Sequence, residues 1–157
     1  MYNIVNVSGA EEAIRAWVRL DAAFNAVNAA LGAQFGVTGA QLAMLRLVDE
    51  FGGNIALADL RGRLALHPAT LGQLLARLAD KGLVELTRDA GDQRRRVVLL
   101  TADGRRLLAQ APLVGPVRLR HYPPEAETTA VLERGFTAAI TAFGLDDYVA
   151  TSERTQQ

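Results

Sequence analysis

The residues best suited to chemistry in this chain sit together in Asp92-Gln93-Arg94-Arg95-Arg96. An aspartate two positions before an arginine, across a tight hairpin tip, can pair with it and limit its rotamers. A guanidinium held that way suits a narrow DNA minor groove, where negative potential is concentrated. Side chains alternate along a strand, so at most one of Arg95 and Arg96 shares the face of Arg94. Arg88, across the hairpin, can add a phosphate contact. Earlier in the chain Thr70, Gln73 and Arg77 recur at helical spacing, with Ala69 on the same outward side. Glutamine can pair bidentately with adenine, threonine can touch a thymine methyl, and Arg77 suits phosphate or guanine. Thr70 can also serve only the helix start, and Arg77 can pair with Asp80. His67 is placed to cap that helix or to donate to a phosphate.

Other chemistries find little support. The chain has no cysteine and two histidines. That removes disulfides and thiolate metal sites, and it leaves no metal-ligand spacing. There is no Ser-His-Asp arrangement and no glycine-rich phosphate loop after a strand, so neither an enzyme nor a cofactor is expected. No apolar run is long enough to cross a bilayer and no signal peptide opens the chain, so a soluble cytoplasmic protein is expected. The length of 157 residues fits one domain with a helical attachment. Net charge is zero but unevenly spread. Leu60 to Arg106 holds ten basic and five acidic residues, leaving seven basic and twelve acidic elsewhere. The +5 segment coincides with the hairpin and the helix before it, as a nucleic-acid surface requires.

The surrounding pattern supplies the elements that would position these residues. Trp17, Leu20, Phe24, Val27 and Leu31 form the seam of a long helix over Glu11–Leu31, suited to the domain core or to a partner subunit. Thr38 with Gln41 fits a capping box, opening a second helix with Leu42, Met44, Leu45, Leu47 and Val48 inward. Phe51-Gly52-Gly53-Asn54 is a turn. A third helix covers Leu57–Leu64. A fourth runs from Pro68 to Asp80 with Leu71, Leu74, Leu75 and Leu78 buried, and Lys81-Gly82 closes it. The hairpin Leu83–Thr101 follows. Thr101 caps a fifth helix to Ala111, which Pro112, Gly115 and Pro116 should end or kink. Pro123-Pro124-Glu125 opens a last helix, with an apolar face through Val131, Leu132, Phe136, Ala139, Ile140 and Phe143. A helix pair followed by a basic-tipped hairpin is the winged helix-turn-helix plan: mainly α, with a small β-hairpin wing.

Three quoted stretches carry a resemblance. They are Gly36-Val37-Thr38-x-x-Gln41-Leu42-x-x-Leu45, Leu74-x-x-x-Leu78-x-x-Lys81-Gly82-Leu83-Val84, and Asp92-x-Arg94 followed by Leu100-Thr101-x-x-Gly104. Together they resemble the MarR family of bacterial transcription regulators, in register over about Gly36 to Leu108. The sequence departs from the family pattern at Ala69 and Gly72, where polar residues are common. It departs also at Arg61, where a small residue is usual, and at Pro112 and Pro116, inside a helix that is usually continuous. The resemblance implies a homodimer, with residues 1–35 as an N-terminal dimerisation helix and 36–104 as the DNA-binding lobe. Residues 105–150 would complete the dimer region, ahead of a disordered tail over 151–157. It implies the fourth helix in the major groove of double-stranded DNA and the wing, through Arg94, on the minor groove or backbone. Two subunits would read a near-palindrome with half-sites roughly 34 Å apart. Many such proteins are repressors released by small aromatic ligands. Trp17 and Arg15 or Arg19, near Phe24 and Met44, are the candidates for such a pocket, apolar with a cationic rim. A winged-helix module that binds protein, without sequence-specific DNA binding, is the alternative.

Overall fold

The computed structural model describes residues 7–149 apart from 65 and 67, so the expectations at His67 and over 151–157 lie outside the described residues. Helix α1 (Val7–Phe35) extends the expected helix at both ends. Helix α2 (Gly39–Glu50) opens on the anticipated capping box: Thr38 Oγ1 accepts from the Gln41 amide and Gln41 Oε1 accepts from the Thr38 amide. The Lys81 ammonium donates to the Gly36 carbonyl and to Gln41 Oε1. Gln41 is almost fully buried, so this one amide group ties the start of α2 to the end of the fourth helix.

The turn after α2 contains an element that the sequence pattern hid. Asn54–Ala56 forms a short strand, β1, and the wing is therefore a three-stranded sheet and not an isolated hairpin. β2 (Val84–Arg88) and β3 (Arg96–Leu100) are its other strands, in the order β1-β3-β2, all antiparallel. Three residues are too few to display an alternating pattern, and Asn54 carries turn chemistry that masks a strand end. Ile55 and Ala56 are buried opposite Val98 and Val97, so β1 anchors the inner edge of the wing.

Helix α3 (Leu57–Arg63) buries Leu60, and helix α4 (Pro68–Asp80) buries Leu71, Leu75 and Leu78. The end of α4 is a double-bonded reversal. The Gly82 amide donates to the Ala79 carbonyl and the Leu83 amide to the Leu78 carbonyl, with Gly82 at φ +68°. A side chain at that φ would be strained, which explains the glycine after Lys81. Thr101 Oγ1 then accepts from the Gly104 amide, capping helix α5 (Ala102–Gln110), and donates to the Gly82 carbonyl. Gly104 presses against the Leu83 carbonyl so closely that a Cβ there would lie 2.3 Å from it. The Leu-Thr-x-x-Gly spacing is thus a steric requirement: hydroxyl and bare Cα weld wing, α4 and α5 together.

α5 ends before Pro112, as expected. The chain then passes through a short helix, α6 (Arg118–His121), for which the sequence pattern gives no element, into α7 (Ala126–Ala142). Arg46 on α2 donates to the carbonyls of Ala111 (2.8 Å) and Pro112 (3.2 Å). Glu50 receives His121 Nε2 at 3.0 Å and Arg120 at 3.4 Å. These contacts fix the linker to the lobe. The core lies between α2, α3, α4, the sheet and the near end of α1. α7 buries none of its residues.

Candidate nucleic-acid interface

Two surfaces meet on one side of the lobe. The first is the outer face of α4, where Ala69, Thr70, Gln73 and Arg77 are all exposed while Leu71, Leu75 and Leu78 hold the helix down. A period of 3.6 with leucine on one stripe leaves these residues no other direction. Arg77 has no ion pair with Asp80. The second surface is the wing, whose outer half is made wholly of exposed residues from Gly91 to Arg96.

The tip is braced by its own acids. Asp89 Oδ1 accepts from the Gly91 amide (2.8 Å), and the Asp89 amide donates to the Arg95 carbonyl (2.8 Å). Asp92 was expected to hold the guanidinium of Arg94. Instead its Oδ1 accepts from the Arg94 backbone amide at 2.9 Å, and no ion pair joins the two side chains. The reason is local: an aspartate at a tight turn reaches the amide two residues on more readily than the end of a long side chain. Asp92 therefore sets the backbone that launches Arg94 and leaves its guanidinium free.

Strand alternation sorts the arginines. Arg88, Arg94 and Arg96 line one groove with Leu86, Thr87 and Gln93. Arg95 points to the other side, 3.3 Å from Asp59 of α3 and 4.0 Å from Asp89. Arg95, a candidate for DNA contact, here links the wing to α3 through that ion pair. Arg88 and Arg96 are directly paired across the strands. Like charges opposite one another destabilise a hairpin. Two guanidinium groups set side by side in this way can receive an anion between them.

The structure also brings in a residue that the spacing argument did not assign. Arg61 of α3 lines a crevice with Pro68, Gly72, Leu86 and Arg96, between the start of α4 and the wing. Its sequence signals are membership of the basic segment and its standing where the resembled family usually has a small residue. Conversely, the proposed ligand residues do not converge. Arg15 and Arg19 flank a recess on α1 with Glu12, Ile14 and Val18, and Arg15 pairs with Glu11 at 3.0 Å. Trp17 packs edge-on against Phe143, ring centres 5.7 Å apart. Met44 instead lines a separate apolar cavity of about 370 Å3 with Leu47, Leu64, Leu66, Leu74 and Val117, and Arg120 stands among its lining residues.

Helix, turn, outward-facing helix and arginine-bearing wing make this a winged helix-turn-helix protein. A family model described as the MarR family matches residues 35–95. The transcriptional regulator HosA of Escherichia coli O157:H7 is 38% identical over 79 residues, which are 50% of this chain and 58% of HosA. The chain thus spans little more than half the length of the curated relatives it matches. Among solved structures, it is similar to reduced AbfR bound to DNA, with a TM-score of 0.59 at 22% identity, covering 88% of this chain and 96% of that one. A cysteine-to-serine variant of MarR from E. coli, complexed with operator DNA, gives 0.57 at 23% identity, over 88% and 99% of the two chains. At these identities the likeness is one of fold, and it extends beyond the lobe to the flanking helices. No described helix is long and apolar enough to cross a membrane.

Proposed function

We propose that this chain is a homodimeric, cytoplasmic transcription regulator that binds double-stranded DNA, with α4 in the major groove and the wing on the minor groove. One observation carries the reading: Arg88, Arg94 and Arg96 share a groove that no carboxylate lines, and Arg96 also lines the crevice against Pro68 and Gly72 of α4. Thr70 and Gln73 are the base-reading candidates, with Ala69 in the same contact surface. Arg94 enters the minor groove, Asp92 sets its backbone, and Arg88, Arg96 and Arg77 face phosphates. An arginine cluster without neighbouring carboxylates favours a polyanion over the protein-binding alternative. The named relatives, two of them solved on DNA, support the same reading.

Pairing with a second copy is supported by the apolar side chains that the chain leaves open: Ile14, Trp17, Val18, Val131, Phe136 and Phe143 are all at least 44% exposed. The two-fold would place two wings on a near-palindromic operator. We further propose a repressor released by a small aromatic ligand. The cavity holding Met44 supports this: it is apolar, about 370 Å3 in volume, and has Arg120 to meet an acid group. A ligand there would press on α4 through Leu74 and on the linker through Val117.

The test is a gel-shift titration against duplexes selected from random DNA. Arg94→Ala should weaken binding at least about tenfold while leaving the circular dichroism spectrum unchanged, and affinity should fall steeply with salt. Undiminished binding by Arg94→Ala would remove the wing from the interface. Flat salt dependence would remove DNA.

A further inference from the structure

Among the arginines of the described residues, most are occupied. Arg15, Arg95, Arg106 and Arg120 pair with carboxylates, Arg46 and Arg105 donate to carbonyls, and Arg63 and Arg118 lie over aromatic rings. Arg61 and Arg96 have no such partner, and both line the crevice between α3, the start of α4 and the wing. The only acid on α3, Asp59, is taken by Arg95 on the far side of the wing. The crevice has a volume of about 230 Å3 and is otherwise lined by Leu57, Pro68, Leu71, Gly72, Leu75, Leu86 and Val97, with no carboxylate among them. Apolar walls beneath two cations concentrate their field. Gly72 faces this space with no side chain, and a Cβ built on it would meet nothing within 4 Å. The helix surface is therefore bare where two positive charges stand over it.

We propose that Arg61 and Arg96 clamp one backbone phosphate of the bound duplex over Gly72, a contact that supplies affinity without reading bases. The proposal rests on the DNA-binding function above. It accounts for a shallow α4: Ala69 and Gly72 present no base-reading groups, so the strand can sit close and be gripped from both sides. Recognition then leans on phosphate geometry and on groove shape through Arg94, with only Thr70 and Gln73 left to read base edges.

The experiment compares wild type, Arg61→Ala, Arg61→Lys, Arg96→Ala and the double alanine variant. Each is titrated with a duplex selected from a random pool and with an unselected duplex of equal length, over a salt series. Arg61→Ala should lose on the order of tenfold in affinity for both duplexes alike, so that their ratio is preserved, and the salt slope should shrink by about 0.9 per phosphate released. Arg61→Lys should recover most of the loss. The double variant should lose less than the product of the single losses, because one phosphate is shared. A loss confined to the selected duplex would mean that Arg61 reads a base, and would overturn the clamp. So would unchanged binding by Arg61→Ala in a protein whose wild type binds normally. A wild type that bound neither duplex would overturn the parent function and the clamp together.

Discussion

The lobe and the arms of this chain are built from similar residues and end in opposite conditions. In the lobe, Leu42, Leu45, Leu60, Leu71, Leu75 and Leu78 are at most 1% exposed. In the arms, Trp17, Phe136 and Phe143 are 44–53% exposed, and α7 has no buried residue at all. Large apolar side chains left in water on two neighbouring elements mark a surface awaiting a partner. The lesson is that hydrophobicity reports a wish to be covered, while burial within one chain reports whether that chain can satisfy it alone. The lobe buries its own apolar side chains; the arms leave theirs exposed, as the proposed dimer requires.

Two substitutions test the contrast most strongly. Leu78→Ala removes a fully buried side chain where α4 meets the sheet, and should cost about 2–5 kcal/mol in chemical denaturation. The effect should appear at any protein concentration. Phe136→Asp, on α7, should leave the unfolding of the lobe within about 0.5 kcal/mol of wild type. It should instead raise the dimer dissociation constant at least about thirtyfold, read by sedimentation across a dilution series. If Phe136→Asp unfolded the lobe, or if the wild type sedimented as a monomer at every concentration, the two regions would not differ as described.

How far the sequence announced each region follows from the range of its interactions. The α4 leucine stripe, the Thr38–Gln41 box and the Thr101 cap are decided by neighbours within four residues, and each stands where the spacing placed it. β1 was hidden because its identity comes from Val97 and Val98, more than forty residues away. The same holds for the site. Outward residues of α4 could be read from helical period alone. The partition of the wing arginines could only be half read: alternation separates Arg95 from Arg94 and Arg96, but Asp59, which draws Arg95 aside, sits on another element. Arg61 was missed because nothing local says that α3 and the wing share a crevice. The candidate ligand residues lie on two helices, and whether they share one pocket is likewise not decided by local spacing.

A smaller effect probes the junction between the two regions. Thr101 Oγ1 donates to the Gly82 carbonyl at 2.7 Å and accepts from the Gly104 amide at 3.0 Å. Thr101→Ala should cost about 1 kcal/mol, the usual worth of a helix cap. Because α5 leads on to the linker, the loss should be seen in hydrogen exchange at the start of α5 before it is seen in the wing. Equal loosening of both would mean that the hydroxyl serves the sheet as much as the helix.

The smallest expected effect on stability is also the one that separates support from contact. Arg95 reaches Asp59 at 3.3 Å with both side chains more than half exposed. Exposed pairs of this kind contribute under about 1 kcal/mol, so Arg95→Ala should barely move the denaturation midpoint. Its consequence should lie elsewhere. Freed from α3, the wing gains freedom about its base, and Arg94 and Arg96 must be ordered again on binding, so affinity should fall modestly. If Arg95 acts only as a strut, Asp59→Ala should reproduce that loss, although it removes a negative charge and by simple electrostatics should strengthen binding to a polyanion. The two accounts therefore predict opposite signs for Asp59→Ala. Tighter DNA binding by that variant would return Arg95 to the set of residues that touch DNA directly.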